Sequence, residues 1–520
     1  MRMIAGVIPA SFPMASATGA LQGLWPGGEV VRLRQPTPDC TRPGDTVPIV
    51  TSDPLDLRAH APLLDAYLRF SESSPTPFTI PGHKQRTDLV GDAVRGDIPL
   101  YGGLDTMKVT HGTLASAERR AADLWDADWL RFSVGGSTHG NQALALAVGA
   151  PGDEVIVGRT LHRSLLLGMV LADLTPVWVH PAIDESTGLP LGYFVDALDT
   201  ALATHPNARA VFLGDPSYVG TFADLASIAD ATHARDIPLI IDAAWGAHFG
   251  FHPAIPPHAL AAGADAMVTS AHKMLPAYSA AALVMARTQR FDAARLESSF
   301  EATHTTSPPG SILASIDAVR ALLQLHGEHL LTTTIDLVAS ARERLRAVDG
   351  VIVFDEHVQP TQLTVSVAGA GANGNDIERG LIAAGLPIEY ADRDTLAPMI
   401  TIADTEQTVD RLVSTMIDLI DAHRGEPRGA RAAVSWSVRP EQVTSPREAF
   451  FAPHTTVSTT EASGRVSAEL IAPYPPGVPV LAPGERITAE IVDGLREAQA
   501  QGTRIAYAAD PTLSTLRTLA

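Results

Sequence analysis

The sequence predicts an α/β protein: a large domain built on a mostly parallel sheet, then a small α+β domain and a C-terminal α+β domain. Three observations carry this expectation. Short β-branched apolar runs alternate with Ala/Leu-rich helical stretches through the first half of the chain. Those runs are apolar throughout instead of alternating, the pattern of parallel strands covered on both faces. The length of 520 residues exceeds one core, and ~100–200 residues per domain gives about three domains.

Taken in order, residues 1–55 are rich in Pro and Gly without a period, and read as an N-terminal extension, partly irregular, with one short strand at Glu29–Arg34. Pro9 and Pro13 interrupt the apolar stretch after Arg2, which argues against a secretion signal. Residues 56–330 form the large domain. Glu154–Val157, Pro176–Val179, Ala210–Leu213, Pro238–Ile241, Ala266–Thr269 and Ala281–Met285 read as its buried strands; Asn141–Val148 and Phe222–Ala234 read as helices. In the small domain, 331–424, a helix over 331–347 leads to strands at Val351–Phe354, Gln362–Val367 and Met399–Ile402. Helices at Asp376–Ala384 and Glu406–His423 complete it. Gly425–Gly429 reads as a linker, and 430–520 as the third domain.

The net charge of −20 argues against nucleic acid or an anionic membrane surface as partner. Cys40 is the one cysteine, so neither an intrachain disulfide nor a thiolate metal cluster can form, which fits a cytoplasmic protein without a metal. No run reaches the ~18 apolar residues a membrane span needs.

Four segments carry chemistry, each where an α/β sheet presents ligands at strand ends. Gly135-Gly136-Ser137-Thr138-His139-Gly140-Asn141 precedes a helix: the glycines permit close approach, and two hydroxyls and the helix amides suit a phosphate. Alone it is equally a capped Gly-rich turn. Asp242 closes an apolar strand and could hold a pyridine nitrogen protonated, or merely cap a helix. Ser270-Ala271-His272-Lys273 follows the next strand; a half-buried Lys there could form a Schiff base, although most lysines are surface groups. His162, in Arg159-Thr160-Leu161-His162-Arg163-Ser164, could stack on an aromatic ring or sit in a helix's first turn. Together, in this order, with Lys273 placed 31 residues after Asp242, they supply the phosphate site, pyridinium partner and amine that pyridoxal 5′-phosphate (PLP) requires.

Asp242-Ala-Ala-Trp-Gly-Ala-His248 and Ser270-Ala-His-Lys273 resemble the fold-type I Orn/Lys/Arg decarboxylases. Further similar segments are Phe78-Thr-Ile-Pro-Gly-His-Lys84, Thr306-Ser-Pro308 with Ile312-Leu-Ala-Ser-Ile-Asp317, and Ala472-Pro-Tyr-Pro-Pro-Gly-Val-Pro479 with Pro483-Gly-Glu485. The resemblance spans roughly residues 60–500 and implies the PLP-dependent transferase-like fold. It is to the short form, because residues 1–55 are too few for the N-terminal wing of longer members. It implies a Schiff base at Lys273, Asp242 on the pyridinium nitrogen, His162 on the ring face, and Ala244 beneath the ring. It further implies Gly136, Ser137, Thr138, Ser270 and His272 at the phosphate, Thr306 reaching the partner subunit's phosphate, and Ser217 and Trp245 at the cofactor's edge. Lys273 or His272 would protonate Cα. The implied reaction is decarboxylation of arginine, lysine or ornithine in a homodimer or higher oligomer. Alternatives are an aminotransferase or lyase acting at Cα, and a catalytically retired PLP-binding relative. Asp105, Glu469 and Glu485 are candidate partners for the substrate's distal cation. The chain departs from the family pattern at Gly135 (commonly Asn), Ala243 (Glu), Ser279-Ala280 and Pro309-Gly310.

Overall fold

The computed structural model describes residues 55–73, 77–94, 96–98, 103–105, 112–355, 357–474 and 477–520. The strand expected at Glu29–Arg34 lies outside them. The chain enters through helix α1, Pro62–Ser73. A seven-stranded sheet follows: β1 Trp129–Ser133, β2 Glu154–Gly158, β3 Thr175–Val179, β4 Val211–Gly214, β5 Leu239–Asp242, β6 Ala266–Ser270 and β7 Ala282–Ala286. Their spatial order is β1-β7-β6-β5-β4-β2-β3. β7 alone runs against its neighbours β1 and β6; the remaining pairs are parallel.

Side chains alternate across this sheet, and both faces are covered. Ile156, Leu213, Ile241 and Met267 join one apolar core. Their neighbours Val155, Val157, Phe212, Ile240 and Val268 join the other. That is the physical meaning of the unbroken apolar runs. Strand β1 went unread because Arg131 interrupts it; the guanidinium reaches Glu297 at 2.7 Å, and the strand is otherwise buried. On the sheet pack α2, Gly136–Val148, α3, Arg163–Ala172, and α4, Leu225–His233.

The helix expected at 331–347 is the second half of α5, Gly310–Arg346. Its 37 residues run about 55 Å across the 330/331 boundary. Leu313, Ile316 and Leu323 serve the large domain, and Val338, Ala341 and Leu345 the small one. Asp317 and Arg320, both fully buried, lock α1 onto it: Leu63 N–H donates to Asp317 at 2.8 Å, and Arg320 donates to His60 O at 2.6 Å.

The small domain holds an antiparallel sheet of β8 Ile352–Val353, β9 Val365–Ser366, β10 Tyr390–Ala391 and β11 Thr395–Ala397, ordered β8-β9-β11-β10. Helix α6, Glu406–Ala422, packs beside it. The strand expected at Met399–Ile402 is absent. Pairing ends at Ala397, because Pro398 brings no N–H to extend the ladder. The C-terminal domain pairs His454–Ser458 with Thr515–Leu519 and Ala472–Tyr474 with Arg504–Ala506, around Ile471, Leu481, Ile487 and Leu495. Among the described residues no helix is long and apolar enough to cross a membrane.

Candidate active site

The carboxyl ends of β4, β5 and β6 and the amino end of α2 enclose a cavity of about 310 Å3. Parallel strands bring successive loops to one edge, so residues far apart in sequence converge there.

One end of the cavity suits an anion. Gly136 opens α2 at φ +67°, a conformation that favours glycine, and its N–H donates to Ala280 O at 2.8 Å. Ser137 and Ser270 bring their hydroxyl oxygens within 2.6 Å of each other, and Thr138 lines the same wall. His272 Nδ1–H donates to Ala281 O at 2.9 Å. Its Nε2 therefore carries a proton only as imidazolium, a form that burial disfavours first and Lys273 second.

The opposite walls suit a flat ring. Asp242 ends β5 with its carboxylate held by two donors: Asn141 Nδ2 at 2.7 Å and Ala244 N–H at 3.2 Å. His162 caps α3, and Ala244, Trp245 and Ser217 complete the lining. Trp245 Nε1–H is buried without a hydrogen-bond partner. Burial of this donor is costly unless something accepts from it. Lys273 Nζ lies 4.1 Å from the Trp245 ring centre. Burial pushes its amine below the ordinary lysine value, while the Asp242 and Glu389 carboxylates oppose that shift. Burial likewise pushes His162 down to about 4, with Asp242 opposing and Lys273 and Arg163 reinforcing.

Eleven of the twelve residues singled out from sequence thus meet in one cavity. Thr306 does not: it is exposed, on the loop before α5, beside a separate hollow with Pro308. The acids suggested for a substrate cation are corrected. Glu485 is fully buried against Arg159. Glu469 accepts the amides of Ala509 and Arg517 at 2.7 and 2.6 Å. Asp105 accepts the Gly112 amide at 3.0 Å. None of the three lines the cavity.

Sequence reasoning missed Thr160 and Tyr218 in the wall, Asn141 and Ser164 behind it, and Glu389, whose charge reaches Lys273 from the small domain. Asn141 left a legible signal as a polar residue opening an otherwise apolar helical run. Glu389 left none, since exposed acids abound.

The sequence matches the profile described as Orn/Lys/Arg decarboxylase, major domain, over residues 61–367, and that family's C-terminal domain over 430–505. It is 33% identical over 477 residues to an arginine decarboxylase of Halalkalibacterium halodurans, covering 88% of this chain and 97% of that protein. It is 30% identical to an arginine decarboxylase of Bacillus subtilis over the same shares. Lysine decarboxylase A from Pseudomonas aeruginosa superimposes with TM-score 0.74 at 20% identity, covering 89% of this chain and 81% of that one. The fold is that of the PLP fold-type I decarboxylases, and the chain belongs to the Orn/Lys/Arg decarboxylase family.

Proposed function

We propose that this chain binds PLP at Lys273 and decarboxylates arginine, lysine or ornithine to the corresponding amine and CO2. The observation that carries the reading is a buried lysine amine of lowered pKa sharing one cavity with a strand-end carboxylate and a pair of serine hydroxyls. The unpaired Trp245 Nε1–H and the anion-suited end supply what a phosphorylated heterocycle would satisfy.

When bound, PLP supplies an electron sink for the pair left behind as CO2 departs. The chain does the rest. Ser137, Thr138 and Ser270 would hold the phosphate, with His272 adding a proton when charged. Asp242, oriented by its two donors, would hold a proton at the ring nitrogen. His162 and Ala244 would confine the ring between them. Burial disfavours the ammonium form of Lys273, which favours its use as a nucleophile, with Asp242 and Glu389 opposing. Lys273 and His272 both line the cavity and can return a proton to carbon after CO2 leaves.

Glu389 supports a basic substrate. The residue as a whole is exposed, but its carboxyl end is partly buried: burial raises its pKa above the ordinary value and Lys273 opposes that shift, so it stands where an incoming cation would pass or bind. Phe78, 90% exposed, and the exposed Thr306 fit a homodimer in which they meet a second copy. The single cysteine fits the cytoplasm.

The test is a visible spectrum of the protein supplied with PLP, with CO2 release assayed on arginine, lysine and ornithine. The expected result is an absorbance band lost in Lys273→Ala, with CO2 from one of the three. Glu389→Gln should raise KM for that substrate about 10–100-fold, the loss of a charged hydrogen bond. A band without CO2 would move the assignment to an aminotransferase, a lyase or a retired relative. No Lys273-dependent band would overturn the cofactor.

A further inference from the structure

Behind the cavity wall a chain of hydrogen bonds joins Asp242 to His162 through two buried residues. Asp242 Oδ2 lies 2.7 Å from Asn141 Nδ2. A carboxylate only accepts, so the amide nitrogen must face it; the flipped amide would set oxygen against oxygen. The second hydrogen of that nitrogen meets Ser164 Oγ at 3.0 Å. Ser164, having accepted, has its own hydroxyl proton to give, and His162 Nδ1 is 2.8 Å away. The Ser164 backbone N–H donates to the same Nδ1 at 3.2 Å. Each link thus sets the direction of the next. Asn141 and Ser164 are each 1% exposed, so water does not offer either an alternative partner.

We propose that Asn141 and Ser164 are positioning residues that transmit the acceptor character of Asp242 to His162, fixing its ring as the neutral Nε2–H tautomer and setting its plane. The inference rests on the reading above, in which His162 faces the cofactor. A neutral ring matters there. An imidazolium against a protonated pyridinium would repel it and compete for Asp242. The charged groups facing His162 are Asp242, Lys273 and Arg163. The two cations disfavour imidazolium, and Asp242, which favours it, is already engaged by Asn141. A protonated Nδ1 would also oppose the Ser164 N–H directly.

The experiment is 15N NMR of protein labelled at histidine nitrogens, with and without PLP, using His162→Asn for assignment. Wild-type protein should show an unprotonated Nδ1 and a protonated Nε2 through neutral pH. Ser164→Ala removes one of two donors to Nδ1, so the His162 titration midpoint should rise by about half to one pH unit. The Nδ1–H tautomer should also appear. Ser164→Thr keeps the hydroxyl and should restore wild-type behaviour, which a purely steric role for Ser164 would not produce. Asn141→Leu should move the midpoint in the same direction by less, because the Ser164 hydroxyl loses only its orientation. If that variant does not fold, the two Ser164 variants decide the matter. An Nδ1–H tautomer in wild type, or a Ser164→Ala protein with unchanged tautomer and midpoint, would overturn the proposal. The same samples report the visible band separately: its absence would remove the PLP reading while leaving the tautomer result standing.

Discussion

Replacing Glu485 with Gln tests whether this acid holds the domains together or binds substrate. Arg159 follows β2 of the large domain, and Glu485 lies in the C-terminal domain, 326 residues away. The pair is bidentate: one short contact from Nη1, and one from Nη2 at 2.9 Å, with Nη2 also reaching Val480 O at 3.0 Å. Side-chain exposure is 4% for Arg159 and zero for Glu485. Gln removes the negative charge and sets an NH2 toward one of the guanidinium donors, leaving buried Arg159 with a neutral amide oxygen, the Val480 carbonyl and the face of Trp178, whose ring centre is 4.6 Å from it. The expected loss is about 3–5 kcal/mol. Denaturant unfolding and limited proteolysis of the C-terminal domain would measure it. The double variant Arg159→Met, Glu485→Leu should recover most of that loss, because it removes both buried charges together. Arg159→Met alone leaves the carboxylate with Ala482 N–H at 2.7 Å. Burial already pushes Glu485 upward in the wild type, with Arg159 opposing. The single variant should therefore be less destabilised at acid than at neutral pH, since the folded form then holds a proton the unfolded form has lost. A Glu485→Gln protein of wild-type stability but raised KM would refute the reasoning and return Glu485 to the substrate site.

Three further outcomes are expected. Asp215 is buried with a single amide donor, Ala223 N–H, and burial pushes its carboxyl up to about 7. The folded state then holds a proton that the unfolded state releases near pH 4, so stability should fall as pH rises from about 4 to about 7, by no more than about 4 kcal/mol. Asp215→Asn should flatten that slope in pH-dependent unfolding. A Cβ at Gly135 would lie 2.8 Å from His139 Cβ, so Gly135→Asn should cost about 1–3 kcal/mol in thermal unfolding. Asp242→Asn turns an NH2 toward one of two donors, Asn141 or Ala244. It should lower the stability of cofactor-free protein by about 1–3 kcal/mol and weaken retention of PLP on dialysis.

Much of the site was legible because a buried strand announces its own end. The apolar runs before Asp242 and Lys273 stop where the sheet stops, and parallel topology carries those ends to one edge. The Gly135–Asn141 segment was legible for a similar reason: only a tight turn into a helix uses two glycines followed by two hydroxyls. The sequence by itself therefore pointed to the layered α/β class, the order of the cavity-lining segments, and eleven of the seventeen residues that line the cavity. Only the tertiary structure decided which acids are partners and which are free. Glu485 and Glu469 looked available in sequence, but chain topology sets Arg159 against the first and backbone amides against the second. It also extended the helix expected at 331–347 back to Gly310 as α5, ended β11 before Met399, and aligned Asn141 and Ser164 between Asp242 and His162. The physical reason is common to all of these. Hydrophobic periodicity reports whether a residue is buried, whereas its hydrogen-bond partner is chosen by residues that only the folded chain brings near.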